Sequence, residues 1–243
     1  MQYTHSAPAA NRLLAALPFD DRQRFLAGCE QVDLIFAEVL AEPGEPIRHV
    51  YFPTESFISL TTSIDRCAGL EVGLIGDDGM LGISLILGVE VSPLYASVQG
   101  GGHALRMDAV LFSHELGLSQ TLQRLLNHYL YTMMIQLAQT AACNRFHALE
   151  ARLARWLLMM QDRAHSDNFH VTHKLLAYML GVRREGITTA ATSLHNRNLI
   201  AYRRGNITIL DRGGLESASC ECYETDKATC ARIMGELSHF PTY

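Results

Sequence analysis

The sequence predicts an α+β chain, and three observations carry that reading. Short strand-like runs fill residues 32–107, a long helical period replaces them from residue 113, and a basic block of about fifty residues lies near the C-terminus. The expected layout is an antiparallel jelly roll or β-roll over residues 1–112, a long central helix over 113–144 and a helical C-terminal unit over 145–243. With 243 residues, 48% hydrophobic and 19% charged, the chain can bury a sizeable core in one or two domains. No window offers the roughly 20 uninterrupted apolar residues of a membrane span. Met1–Ala10 has neither the basic start nor the apolar stretch of a secretory signal, so the cytoplasm is the expected location.

Residues 11–30 read as short helices broken at Pro18, with Asp20 as a cap. The β-prone runs that follow are Val32–Phe36, His49–Phe52, Phe57–Thr62, Leu70–Ile75, Ser97–Gln99 and Ala104–Met107. Turn signals separate them at Pro43–Gly44, Pro53–Thr54, Asp77–Gly79 and Gly100–Gly102, which is the spacing of a jelly roll or barrel. From Ser113 to Thr140 one helix is expected. Leu122, Leu126, Tyr129, Met133, Gln136 and Thr140 alternate steps of four and three, and Leu130, Met134, Leu137 and Ala141 form a neighbouring apolar stripe. One stripe can pack on the strands and the other on a partner helix; a single core helix without a partner satisfies the same period. A second helix is expected over His147–Gln161.

Charge is distributed unevenly. Residues 1–162 hold 10 Lys and Arg against 17 Asp and Glu, residues 163–213 hold 8 against 3, and residues 214–243 hold 2 against 5. A module of net charge +5 thus sits between segments of −7 and −3, the footprint of a phosphate-contacting unit on an acidic body. Within it, Thr172–Leu194 (THKLLAYMLGVRREGITTAATSL) reads as two helices. Thr172 caps the first, Gly181 permits the tight turn, and Ile187, Ala190, Ala191 and Leu194 give the second one buried face. By subtraction, Arg184, Glu185, Thr188 and Thr189 share an exposed patch at the start of that helix. An arginine there can donate two hydrogen bonds to guanine, a glutamate can accept from cytosine, and threonine can offer its hydroxyl to phosphate or its methyl to thymine. Leu199–Ile209 (LIAYRRGNITI) then reads as a hairpin with Arg203 and Arg204 at its tip. A helix pair followed by a basic hairpin is a winged helix-turn-helix, with double-stranded DNA as its partner. Thr172, Arg183, Arg203 and Arg204 are the expected backbone contacts. The rival expectation is a jelly-roll receptor or enzyme with an accessory C-terminal domain, which would need a convergent polar cluster among strands that read mostly apolar.

The order of these parts resembles the Crp/Fnr family of bacterial regulators over about residues 12–215. It is carried by EARLARWLLMMQD at Glu150–Asp162, LGVRREGITTAATSLHNRNLIAY and RRGNITILDR. The resemblance implies a homodimeric, non-enzymatic transcription regulator that acts with RNA polymerase. Its dimerisation helix would use Leu122, Leu126, Tyr129, Met133 and Gln136, and its helix 183–194 would read a near-palindromic operator. Arg184 and Glu185 fall on the family's base-reading pair. Thr189 stands where many members place a second reading arginine, and Arg183 where many have a capping serine.

The sensor half departs from members that bind cyclic nucleotides. Gly82 is followed by Ile83 rather than glutamate, and Leu94-Tyr95-Ala96 replaces the arginine triplet that holds the phosphate. A phosphate beside Leu94 would lack its counter-charge, so no cAMP binding is expected and the effector stays open. Cys29 stands alone where the oxygen-sensing branch carries a cysteine cluster, so no iron–sulfur cofactor is expected. Cys220 and Cys222, with Cys230, are weak metal candidates with His239 as the nearest fourth ligand; reduced thiols on a short helix are the plainer expectation. His170 and His173 are expected to be surface or backbone-contacting residues, and neither a nucleophile elbow, a Walker loop nor a zinc-protease motif occurs.

Overall fold

The computed structural model describes residues 11–64, 68–203 and 205–235. Two short helices, α1 (Arg12–Ala15) and α2 (Phe19–Ala27), precede the strands. These are β1 (Glu30–Leu34), β2 (Val39–Ala41), β3 (His49–Pro53), β4 (Phe57–Ile64), β5 (Ala68–Ile75), β6 (Tyr95–Gly100) and β7 (Gly102–Asp108), with a 3-10 turn at Ile83–Leu87 between β5 and β6. They form two antiparallel sheets, in the orders β1-β7-β3 and β2-β6-β4-β5. Leu34, Tyr51 and Ala104 from the first sheet meet Ile58, Leu60, Ile75, Ala96 and Val98 from the second in one apolar core, as the alternating pattern requires. Gly100–Gly102 is not the turn of a hairpin. β6 and β7 lie in different sheets, and Gly102 (φ +151°) takes the chain across between them. Strand β2 escaped the sequence reading because it is three residues long and carries no buried alternation.

The helix expected from Ser113 to Thr140 is two helices, α3 (Ala109–Leu118) and α4 (Gln120–Phe146). Ser119 adopts an extended backbone between them, and its hydroxyl accepts from the Leu122 amide, capping α4. The dimerisation stripe also needs correcting. Leu122, Leu126 and Tyr129 are buried against Phe25, Phe52, Met80 and Phe112 of their own chain, with Met133 packed partly against the same cluster. Gln136 is half-buried. These residues attach α4 to the β-roll. The exposed apolar face of α4 is the neighbouring one: Tyr131 (53% exposed), Met134 (59%) and Leu137 (41%), with Ala138 and Ala141 beside them. Periodicity gave two apolar stripes and could not say which faced inward.

After α4 come α5 (Leu149–Ala164), β8 (Asn168–His170), α6 (His173–Met179), α7 (Arg184–Asn196), β9 (Ile200–Arg203) and β10 (Asn206–Ile209). Two short C-terminal helices, α8 (Arg212–Ala218) and α9 (Cys222–Gly235), close the described chain. Leu153, Trp156, Leu157, Leu176, Ile187, Leu194, Ile200 and Ile207 centre the C-terminal core. Phe57 of β4 and Leu74 of β5 belong to that same core, so the β-roll and the helical unit share a packed seam. At this seam Glu71 of β5 is buried and accepts hydrogen bonds from Ser59 Oγ and from Trp156 Nε1 at 2.7 Å. Tyr178 of α6 lies directly over Gly69, where any Cβ would overlap its ring. Among the described residues no helix is long and apolar enough to cross a membrane.

Candidate nucleic-acid interface

The local order of the basic block follows from its capping and turn residues. Thr172 Oγ1 accepts from the Leu175 amide and starts α6. Gly181 takes a left-handed conformation (φ +62°), and the chain reverses within four residues to enter α7. Arg183 occupies the N-cap of α7 without a side-chain capping bond, so first-turn amides keep donors free at the positive end of the helix dipole. Ile187, Ala190, Ala191 and Leu194 are buried, as expected.

Arg183, Arg184, Glu185, Thr188 and Thr189 are all exposed. They form one edge of α7, starting at its N-terminus. The Thr188 and Thr189 hydroxyls donate to the carbonyls of Arg184 and Glu185, each at 3.1 Å. With those hydroxyls turned to their own helix, the methyl groups are what the two threonines have left to offer a base. Arg184 and Glu185, both exposed, form no hydrogen bond or ion pair with one another.

The sequence reading placed His173 at the surface or against the DNA backbone. Its ring stacks on Tyr202 of β9 (centroids 4.3 Å apart, planes 21° apart), and its Nδ1 meets Thr188 Oγ1 at 3.1 Å. Because that hydroxyl already gives its proton to Arg184, the imidazole Nδ1 is the donor. Burial, and then the nearby Arg184, pull the His173 pKa below its ordinary value, which keeps the ring neutral. His173 thus links the start of α6, the exposed edge of α7 and the wing. A spacing rule could not show this, since the two partners of His173 lie 15 and 29 residues away in sequence.

The wing is a three-stranded sheet in the order β8-β10-β9, with β8 unexpected from sequence. Gly205 (φ +82°) makes the turn, Asn206 pairs with Arg203, and His170 Nδ1 meets Asn206 Oδ1 at 3.0 Å. Arg203 is exposed at the wing end. Arg204, the other expected phosphate contact, lies outside the described residues. Thr172 is exposed beside the wing turn, its methyl carbon 3.6 Å from where a Cβ on Gly205 would sit.

Two further groups of residues bear on function. A cavity of about 210 Å³ lies in the β-roll beneath α4, walled by Leu40, Ile75, Met80, Leu81, Leu94 and Met133 among others. Gly82 and Ile83 also line it, and among its described lining residues only Arg48 and His49 can titrate. The positions at which the resemblance sets ribose and phosphate contacts are therefore apolar walls here. The cysteine expectation changes in membership. Cys220 and Cys222 lie with Cys143 and His147, one ligand atom from each within 4.8 Å of the others. Cys230 lies elsewhere, lining a separate cavity with Arg12 and Asp78, and His239 is outside the described residues.

Residues 151–218 match the Crp-like helix-turn-helix domain. The fold resembles that of FixK2 from Bradyrhizobium japonicum (TM-score 0.67, 14% identity, 79% of this chain and 98% of that one). It also resembles a putative Crp/Fnr-family transcriptional regulator from Eubacterium rectale (TM-score 0.68, 17% identity, 85% and 96%). A third is the c-di-GMP responsive regulator CLP of Xanthomonas campestris (TM-score 0.65, 16% identity, 80% and 100%). No curated protein sequence matches the chain.

Proposed function

The chain carries a Crp-like helix-turn-helix domain on the fold of the Crp/Fnr regulators, and from that premise we propose a dimeric, sequence-specific DNA-binding transcription regulator. It works by binding rather than catalysis, in the cytoplasm, with RNA polymerase as the machinery it acts upon. The observation that carries the reading is the α7 edge. An arginine and a glutamate stand exposed and adjacent at a helix N-terminus, on a module of net charge +5, with Arg203 on the wing beside them.

In a dimer the exposed stripe of α4, centred on Tyr131, Met134, Ala138 and Ala141, meets its copy. Its steps of three, four and three are those of a coiled-coil seam, and its alanines allow close approach. Two recognition helices would then address successive major grooves about 34 Å apart, so the operator is a near-palindrome. The β-roll cavity supports an apolar effector, whose binding would shift α4 because Leu130, Met133, Met134 and Leu137 wall the same space.

The test is selection of binding sites from random DNA with the full chain and with Arg184→Ala. The wild type should enrich a near-palindrome, and the variant should lose preference at one base pair per half-site, worth about 1–3 kcal/mol. An unchanged preference in Arg184→Ala would remove the assigned reading edge.

A further inference from the structure

We propose that Cys143, His147, Cys220 and Cys222 form a binding site for a soft divalent metal ion of the zinc class. Cys143 lies in the last turn of α4, and His147 is the cap of the same helix one turn on, so both project to one side. Cys220 and Cys222 come from the tight junction of α8 and α9, more than seventy residues later. Cys143, Cys220 and Cys222 are buried and His147 is half-buried. The Cys143 and Cys220 sulfurs are 3.5 Å apart, and Cys222 Sγ lies 3.4 Å from His147 Nδ1. A tetrahedral zinc with bonds of about 2.3 Å to sulfur and 2.0–2.1 Å to nitrogen has edges of about 3.5–3.8 Å. Two of the six edges already have about that length, and no pair of the four donors is more than 4.8 Å apart.

The surroundings suit a charged thiolate centre. Gln139 Nε2 donates to Cys222 Sγ at 2.9 Å. Arg155 lies close enough to Cys143 to stabilise its thiolate, and is itself held by the Asp226 carboxylate and Thr140 Oγ1. Three thiolates and a neutral imidazole leave one negative charge on the metal centre, which lies within the field of both Arg155 and Arg152. A disulfide would use two of these sulfurs and leave the third cysteine, the imidazole and the Gln139 donor without a purpose.

With four protein donors the site is closed, which marks it as structural or regulatory rather than catalytic. Its place gives it leverage. His147 is the extended residue at which the central helix gives way to the C-terminal unit, so a bound ion would pin that joint to the start of α9.

The experiment uses the full chain, purified under reducing, anaerobic conditions and stripped with a chelator. Titration with Co²⁺ should saturate at one equivalent, with the intense visible bands of tetrahedral cobalt and a near-ultraviolet thiolate charge-transfer band. Zn²⁺ should abolish both. Cys222→Ser should weaken Co²⁺ binding by more than about 100-fold, and Gln139→Ala, which removes only a supporting donor, by about 10–100-fold. Cys230→Ser, outside the cluster, should bind as the wild type does. Should Cys222→Ser not fold, the wild-type spectrum together with Gln139→Ala decides. A stripped, reduced wild type that gives no tetrahedral cobalt spectrum overturns the proposal, as does Cys230→Ser losing the ion while Cys222→Ser keeps it.

Discussion

Replacing Glu71 by glutamine should stabilise the protein above neutral pH and leave it unchanged in mild acid. Glu71 is buried in the seam between the β-roll and the helical unit, and burial pushes its pKa up to about 7 despite the hydrogen bonds from Ser59 and Trp156. The folded state therefore binds this proton more tightly than the unfolded chain, whose ordinary value is 4.5. Below the unfolded value both states are protonated and the full stability is present. Stability then falls as pH rises through the interval from about 4.5 to about 7, at 1.36 kcal/mol per unit, for a total of about 3 kcal/mol. A glutamine keeps the geometry. Its carbonyl oxygen accepts from Trp156 Nε1, its amide donates to Ser59 Oγ, and no charge forms. Urea unfolding of both proteins at pH 5 and pH 8 measures the effect, read by fluorescence of Trp156, the one tryptophan in the chain and a partner in the contact. Glu71→Gln should gain up to about 3 kcal/mol at pH 8 and less than about 1 kcal/mol at pH 5. Other titrating groups cancel in the difference. A difference independent of pH, or a variant weaker than wild type at pH 8, would refute the assignment of a strained carboxyl to this seam.

Three more outcomes are expected. Arg203→Ala should weaken binding to specific and random duplexes alike and reduce the slope of log affinity against log salt by about 1 per half-site, read by fluorescence anisotropy at several salt concentrations. Met134→Glu should shift the protein from dimer to monomer in sedimentation equilibrium with its α-helical circular dichroism intact, whereas Leu126→Ala should cost about 2–5 kcal/mol of folding stability, because Leu126 is core. Titration calorimetry with cAMP should show no binding at micromolar concentration, because the cavity wall offers Leu94 and Ile83 where a phosphate and a ribose need polar partners.

The helix-turn-helix was legible because each of its parts has a local cause. A capping threonine, a left-handed glycine and a run of buried small residues at helical spacing fix both helices and, by subtraction, the exposed edge. The β-roll was legible through its alternation except at β2, and the wing except at β8, each a strand of only three residues. What the sequence hid is long-range or degenerate. Two apolar stripes on α4 look alike until the β-roll covers one of them. The apolar period runs through Ser119, so the break between α3 and α4 left no mark but a capping serine. Cys143 and His147 join Cys220 and Cys222 only because α8 and α9 fold back onto the end of α4, and Cys230 was included with them on proximity in sequence alone.

Phe57 and Leu74 sit inside the core of the other half of the molecule, and this limits how the two halves can be traded. A fragment starting after His147 would bare the side chains that these residues cover and leave the indole of Trp156 without its acceptor. A foreign sensor spliced in front of Leu149 would have to bring its own plug of the same shape. Chimeras built at this joint should therefore carry strands β4 and β5 along with the C-terminal unit, and the chain is better regarded as one machine than as two detachable halves.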